Sequence, residues 1–299
     1  MHAAVVGANG LVGSRLVSLL LKQGHQVTGL GRGANRSVAK AYVSADLAEG
    51  AKLQSAIAEA RPDIVLNCSA MTDVDGCERE PDKAFVANVE GVAALCRAAK
   101  ATGAHFLHVS TDYVFDGAAG PYEVDAVPNP KGVYAITKHI GEETVRSLLA
   151  ADKWTIARTA VVYGWPPAGN KNFGSWLVDT LGKGQTVKLF DDQWVSPSMA
   201  LNVAQMLAEL GTRRLPGIWH TCGADVLDRV SFGKALCARF GFDPALIQPS
   251  KMADVKLLSP RPPKSGLSVK KTMETLDAKP WNTAAALDAF FQEHKGATP

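Results

Sequence analysis

No stretch of this 299-residue chain is apolar for long enough to cross a bilayer; runs such as Leu16 to Leu21 fall far short. A membrane is therefore not expected as a partner. Charge of one sign is lacking too. Lys and Arg total 32 against 29 Asp and Glu, and a formal charge of +3 is too small to make nucleic acid the main partner. Cysteine is scarce: Cys68, Cys77, Cys96, Cys222 and Cys237 are odd in number, and no two have C-x-x-C spacing. Neither a closed disulfide framework nor a metal site is read from them, and reduced thiols in the cytoplasm are the expectation. Met1-His2-Ala3-Ala4-Val5-Val6-Gly7 places no basic segment ahead of its apolar run, so no secretory leader is expected. The 27 Gly and 16 Pro are ordinary, which excludes collagen-like or low-complexity character. With 46% hydrophobic and 20% charged residues the chain is too balanced to be disordered. What is left is a soluble globular protein of one large or two modest domains, burying roughly three quarters of its unfolded surface.

What is present is an alternation. Ala3–Val6, Gln26–Leu30, Ala41–Val43, Asp63–Asn67, His105–Ser110 and Thr155–Arg158 read as short strands. Between them Leu11–Gln23, Lys52–Arg61, Pro81–Thr102 and Val133–Ala150 carry the helical period. Gly24 stops the first helix and Pro81 suits the first turn of the third. Strand alternating with helix predicts an α/β, Rossmann-type, doubly wound parallel sheet covered on both faces. From about residue 165 the pattern loosens. Trp165 to Gly169 reads as a loop, and Phe173–Leu181, Ser198–Leu210, Ser231–Phe240 and Thr283–His294 read as helices. Gln248–Leu267, with four prolines, reads as a long ordered loop. The expected division is a dinucleotide-binding domain over 1–165 and a smaller, mostly helical substrate lobe over 166–299, the two interleaving.

The first strand runs into Gly7-Ala8-Asn9-Gly10-Leu11-Val12-Gly13 and a helix follows. Glycines let the chain turn tightly and bring backbone N–H groups up to a pyrophosphate, and the helix N-terminus adds positive partial charge. Strand before and helix after raise the value of this motif. Its G-x-x-G-x-x-G spacing resembles the extended short-chain dehydrogenase/reductase family. The second strand ends Thr28-Gly29-Leu30-Gly31-Arg32, without the carboxylate that an NAD enzyme often places against the adenosine ribose. Arg32 is readable as a surface arginine or as the acceptor of a 2′-phosphate; the reading leans to NADP(H), with NAD(H) possible.

Three segments carry the chemistry: Asn67-Cys68-Ser69-Ala70 and Val109-Ser110-Thr111-Asp112-Tyr113 at strand ends, and Tyr134-Ala135-Ile136-Thr137-Lys138 on a helix. Tyr134 and Lys138, four apart, share a helix face. Carbonyl reduction by hydride needs a proton donor at the carbonyl oxygen, and a phenol titrating near ~10 is a reluctant acid. A neighbouring ammonium stabilises the phenolate and eases that transfer, which gives Tyr134 and Lys138 their expected roles. Thr111 would orient the carbonyl oxygen.

STDYVFDG at Ser110–Gly117, the Tyr134–Lys138 pair, Arg158-Thr159 with Tyr163, Asn172-Phe173, DQWVSPS at Asp192–Ser198 and RPPKSGL at Arg261–Leu267 together resemble the dTDP-4-dehydrorhamnose reductase family. The resemblance spans nearly the whole chain. It implies reduction of a nucleotide-linked 4-keto-6-deoxysugar, an anionic small-molecule substrate, by a monomer or homodimer. On the cofactor side it implies Gly7, Asn9, Gly10, Leu11, Val12, Gly13, Arg32, Asp46, Leu47, Cys68, Ser69, Ala70, Asn88 and Ser110. Asp46 and Leu47 would stand against the adenine, and Asn88 would brace the catalytic lysine. Thr72, Tyr113, Val161, Asn172 and Arg261 are implied on the substrate side.

The chain departs from the family pattern in having Gly132 two residues before Tyr134, where Asn is usual, and Val161 where a Trp is usual. Acidic residues for a magnesium-bridged dimer are not evident; Arg15 stands in the first helix. Two other readings stay open. One is a non-catalytic dinucleotide-binding regulator, like the regulatory subunit of methionine adenosyltransferase; the retained Thr111, Tyr134 and Lys138 disfavour it. The other is a sugar-nucleotide epimerase with tightly held NAD. Charge adds an expectation: residues 1–150 carry 14 bases and 16 acids, residues 151–299 carry 18 and 13. Seven bases against three acids lie between Lys251 and Lys279, so this segment is expected to receive a diphosphate.

Overall fold

The computed structural model describes residues 1–166 and 171–297. The loop expected at Trp165 to Gly169 lies, from Pro167 onward, outside the described residues. The chain opens as β1 (His2–Val6), α1 (Leu11–Lys22), β2 (Gln26–Gly31), β3 (Ala41–Ser44), α2 (Gly50–Ala60) and β4 (Ile64–Asn67). Two short helices follow, α3 (Val74–Arg79) and α4 (Pro81–Phe85), then α5 (Gly91–Thr102), β5 (His105–Thr111), α6 (Val133–Leu148) and β6 (Trp154–Thr159). The remainder runs β7 (Val162–Tyr163), α7 (Phe173–Leu181), β8 (Val187–Phe190), β9 (Trp194–Val195), β10 (Ser198–Met199) and α8 (Ala200–Thr212). It closes with β11 (Gly217–His220), β12 (Leu227–Asp228), α9 (Arg229–Phe240), β13 (Ile247–Ser250), α10 (Lys270–Thr275) and α11 (Thr283–Ala297).

Seven strands form one all-parallel sheet in the order β11-β6-β5-β4-β1-β2-β3. Its strands read as nearly unbroken apolar runs because both faces are covered. The period of two still sorts them: Ala3, Val5, Ile64 and Leu66 join Leu16, Leu20, Val203 and Leu207 on one face. Ala4, Val6 and Val65 join Leu53, Ile57, Leu95 and Val145 on the other. The doubly wound fold follows from that alternation.

The seventh strand comes from the second half of the chain. β11 pairs with β6, Gly217 opposite Thr155 through His220 opposite Arg158. α8 lies over the sheet, where a Cβ on Gly211 would fall 2.9 Å from Leu66 Cδ2 and 3.0 Å from Ile64 Cδ1. The smaller lobe has its own core of Tyr163, Leu177, Val178, Leu189, Phe232, Leu236 and Phe290. Three two-stranded ribbons, β7 with β10, β9 with β12 and β8 with β13, shape its edge.

Three expectations change. The helix read as Pro81–Thr102 is broken by a π-helical turn over Val86–Glu90. The helix read from Ser198 begins at Ala200, because Ser198 and Met199 pair with Val162 and Tyr163. Gln248–Leu267 is only partly loop: it holds most of β13 and makes isolated bridges from Lys264 to Trp194 and from Leu267 to Tyr122. These pairings are non-local and two to four residues long, which is below what periodicity registers.

Candidate active site and cofactor cleft

A cleft of ≈ 1450 Å³ runs along the carboxyl ends of the strands, from the β1–α1 turn to the smaller lobe. This is where an open parallel sheet places its ligands. Gly7 stands at φ +84 and a Cβ there would lie 3.1 Å from the Cys68 carbonyl. Gly10 N–H donates to Gly7 O at 2.8 Å and forms the N-cap of α1 without a side-chain cap. A Cβ on Gly13 would meet Gly7 O at 2.1 Å, so only glycine allows the helix to start this close to the turn. No acidic residue occupies the first turn of α1, and its uncapped N-terminus is electropositive. A cradle that any side chain would fill, under an uncapped helix, fits a pyrophosphate.

The adenosine end is built by the segment after β2. Asn9 Nδ2 donates to Arg32 O at 3.1 Å, Ala34 O at 2.9 Å and Tyr42 Oη at 2.8 Å, and Asn9 Oδ1 accepts from Arg36 N at 2.8 Å. The side chain of Asn9 is thus spent on shaping the turn that carries Arg32 and Arg36, both of which line the cleft. Arg32 lies 3.7 Å from Asp46 and is largely exposed. Asp46 and Leu47 line the same end; Cys68, Ser69 and Ala70 line the floor, with Met71 and Thr72 beyond them. Burial pushes the Cys68 thiol up to about 12, so it stays protonated.

Thr111, Tyr134 and Lys138 converge at the centre, where Ser110 and Tyr113 also line the cleft. Tyr134 is 8% exposed and Lys138 2%. Burial pushes the Tyr134 phenol well above its ordinary value, while its hydrogen bond to Thr111 works the other way. The sequence argument weighs only the ammonium, whereas burial is the largest influence on this phenol. Thr111 Oγ1 donates to Asp112 Oδ1 at 3.1 Å and accepts from Tyr113 N at 3.2 Å. Asp112 is fully buried, its carboxyl pushed up to about 6 by burial, and it accepts from Ser265 Oγ at 2.5 Å. The C-terminal segment is thereby tied to the expected catalytic threonine.

Lys138 Nζ donates to Val109 O at 2.7 Å and lies 3.2 Å from His108 Nε2. Asn88 does not line the cleft. It sits in the π turn, 1% exposed, with Oδ1 accepting from Met71 N at 2.8 Å and Nδ2 donating to Met71 O and Thr137 Oγ1, each at 3.1 Å. It therefore joins the floor loop to the helix of Tyr134 and Lys138 through Thr137.

On the substrate side Tyr113, Val161, Asn172 and Arg261 all line the cleft. Asn172 is largely engaged: its amide caps α7 through Ser175 N at 3.2 Å and donates to Gly164 O at 2.8 Å. Arg261 pairs with Asp75 at 2.9 Å. Of the bases between Lys251 and Lys279, only Arg261 lines the cleft; Lys251 pairs with Asp191, and Lys271 lies 3.9 Å over the Trp219 ring. The cations that do face it include Lys171, Lys188 and Arg229. Arg229 Nε donates to Gln193 Oε1 at 3.0 Å, and its guanidinium lies 4.7 Å over the Phe173 ring. Arg36, Arg229 and Gln193 escaped the sequence reading. Arg36 is four residues past Arg32 in one turn and was findable; Gln193 lies inside the Asp192–Ser198 segment quoted above, and Arg229 stands in no local motif.

Gly132 has a spatial reason. It stands at φ +83 before α6, and a Cβ would fall 2.3 Å from Ser259 Oγ and 2.7 Å from Glu78 Oε1. Glu78 Oε1 accepts from Val133 N at 2.8 Å, capping that helix from α3. An asparagine here would displace both neighbours.

Comparison with known proteins agrees in extent as well as in kind. The family profile described as RmlD substrate binding domain matches residues 1–295. A probable low-salt glycan biosynthesis reductase of Haloferax volcanii is 35% identical, covering 98% of this chain and 99% of that one. A dTDP-4-dehydrorhamnose reductase of Streptomyces griseus is 36% identical over 94% of this chain and 86% of its own. Among solved structures, a dTDP-4-dehydrorhamnose reductase of Bacillus anthracis in complex with NADP superposes with a TM-score of 0.86 at 24% identity, over 98% of this chain and 99% of that one.

Proposed function

Because the chain belongs to the RmlD substrate binding domain family, we propose that it is an NADPH-dependent reductase of a nucleotide-linked 4-keto-6-deoxysugar. The observation that carries this reading is the convergence of Thr111, Tyr134 and Lys138 in one cleft with the Gly7–Gly13 turn. Relatives named as dTDP-4-dehydrorhamnose reductases support the substrate class.

When bound, the dinucleotide supplies the hydride. The cradle of Gly7, Gly10 and Gly13 and the N-terminus of α1 would hold its pyrophosphate, and Arg32 and Arg36 a 2′-phosphate. Tyr134 gives its proton to the carbonyl oxygen as that oxygen becomes an alcohol. Its buried phenol is a weak acid, so it parts with that proton only as negative charge builds on the oxygen beside it. Thr111, placed by the bond from Tyr113 N, turns its one hydroxyl proton from Asp112 to that oxygen and so orients it. Lys138 in its ammonium form offsets the phenolate left behind. Arg229 and Arg261, with Lys188, offer positive charge to a diphosphate at the smaller lobe. A pure dinucleotide-binding regulator has no need of the buried acid and its lysine.

NADPH oxidation with dTDP-4-dehydrorhamnose, and with other nucleotide 4-keto-deoxysugars, tests the reading. Tyr134→Phe is expected to lower turnover by at least about 10²-fold, the scale of a lost general acid. NADPH affinity should stay within a few-fold by titration. Equal loss of both would sink the assigned role.

A further inference from the structure

Lys138 stands at the end of a buried chain of three side chains whose hydrogen-bond directions can be counted. Asn67, at the end of β4, is fully buried; its Oδ1 accepts from Ser69 N at 3.1 Å. That contact orients the amide, so it is Nδ2, a donor, that faces His108 Nδ1 at 3.1 Å. His108 Nδ1 must then be the bare nitrogen. A neutral imidazole carries one N–H, which is left on Nε2, and Nε2 faces Lys138 Nζ at 3.2 Å. An ammonium has no lone pair to receive it. An amine does, and it can still donate to Val109 O at 2.7 Å.

We propose that Asn67 and His108 form a tautomer lock that favours Lys138 as an amine over an ammonium and so sets the alkaline limit of carbonyl reduction. Every alternative loses a bond. Moving the imidazole proton to Nδ1 sets it against the Asn67 N–H; turning the amide sets Nδ2 against Ser69 N–H. Charging the imidazole is opposed by burial, which holds His108 well below its ordinary range. Burial likewise lowers Lys138 to about 8. The other groups facing Lys138 are Glu142, one turn along α6, and Cys68 at the end of β4. Glu142 favours the ammonium, but its oxygens already accept from Arg158 of β6 at 2.9 and 2.7 Å. From the π turn the neutral amide of Asn88 reaches α6 by donating to Thr137 Oγ1.

Asn67 and His108 touch neither of the reacting groups assigned to Tyr134 and the substrate; they act through Lys138 and are positioning residues. The inference rests on the reductase reading only for its consequence. Below the lysine's titration the ammonium is available to the phenolate of Tyr134; above it, reduction slows.

Two measurements separate the lock from that reading. Nitrogen-15 NMR of the histidine-labelled protein reads the tautomer without any substrate: His108 is expected neutral, protonated on Nε2 and bare on Nδ1. A proton on Nδ1, or an imidazolium near neutral pH, overturns the lock. The second measurement is the pH profile of kcat/KM for wild type and Asn67→Asp. A carboxylate at 67 still accepts from Ser69 N–H but draws the imidazole proton to Nδ1, leaving Nε2 bare to accept from the ammonium. The alkaline limb should move up by about one pH unit or more. A folded, active Asn67→Asp enzyme with an unmoved limb overturns the proposal. If no sugar nucleotide is reduced while the Nε2 tautomer is found, the reductase reading fails and the lock stands.

Discussion

Val161 stands at φ 39, a conformation that costs a β-branched residue about 1–2 kcal/mol. The strain is sustained by its place between β6 and β7, where its carbonyl accepts from Ser198 N at 3.2 Å while its side chain faces the cleft. Val161→Asn keeps a half-buried side chain but tolerates left-handed backbone. We expect it to raise unfolding stability by about 1 kcal/mol, seen as a higher urea midpoint at unchanged slope. A lower midpoint would mean that the packing of the isopropyl group, not the backbone, governs the site. At the cofactor end, Arg32 is exposed and weakly paired, and Arg36 shares its turn. Alanine at either should weaken NADPH more than NADH, and alanine at both should erase the preference in parallel titrations. Equal losses for the two dinucleotides would remove the 2′-phosphate role. Residues of this kind divide in legibility. That the Gly7–Gly13 turn and the side chains of Thr111, Tyr134 and Lys138 would meet in one cleft was readable because each motif is local in sequence. Asn9 and Asn172, expected to serve ligands, line the cleft and are also largely occupied in holding backbone, a use that spacing cannot reveal. Arg229 and His108 were invisible, since only the fold tells which buried polar group meets which.

Among elements, α6 carries the expected acid and its lysine, and its seat is the buried pair of Glu142 with Arg158 of β6. Arg158 is 2% exposed, its Nη2 lies 2.7 Å from Glu142 Oε2, and its guanidinium lies 5.1 Å from the Phe115 ring. Removing one partner leaves a buried charge unmatched, whereas replacing both by apolar groups need not. Arg158→Met alone is therefore expected to cost about 3–5 kcal/mol. Combined with Glu142→Leu, most of that loss should return, as a double-mutant cycle by chemical denaturation would record. A double variant no more stable than the single one would show that the pair orients α6 in a way apolar packing cannot replace. The six strands of the first half were legible to within a residue or two because buried parallel strands are unbroken apolar runs. The π turn was not: its apolar spacing continues that of α4 and α5, and only the tertiary bonds of Asn88 to Met71 and Thr137 favour it.

For the whole molecule the question is whether the chain can be cut at residue 165, where the sequence pattern changes. Leu16, Val17 and Leu20 of α1 share a core with Val203, Leu207 and Leu210 of α8 and with Trp219 of β11. Without residues 200–220, the face of β4 and β1 that α8 shares with α1 would be partly uncovered, and β6 would keep only β5 as a neighbour in the sheet. Arg15 of α1 also reaches across to Glu293 of α11, donating through Nε at 2.8 Å and Nη2 at 2.5 Å, while Trp165 N donates to Glu293 Oε2 at 2.9 Å. That contact clamps the last helix to the one that opens the cofactor cleft. Apolar faces of this kind contribute roughly 25 cal/mol per Å² buried, so losing a whole covering helix and strand exceeds the stability of an ordinary domain. We therefore expect residues 1–165 expressed alone to lack a cooperative thermal transition. The intact chain should unfold in a single calorimetric step, with calorimetric and van't Hoff enthalpies in agreement. Two resolved transitions, or a folded 1–165 fragment that binds NADPH, would show that the halves are separable domains and that the shared core contributes less than its buried area implies.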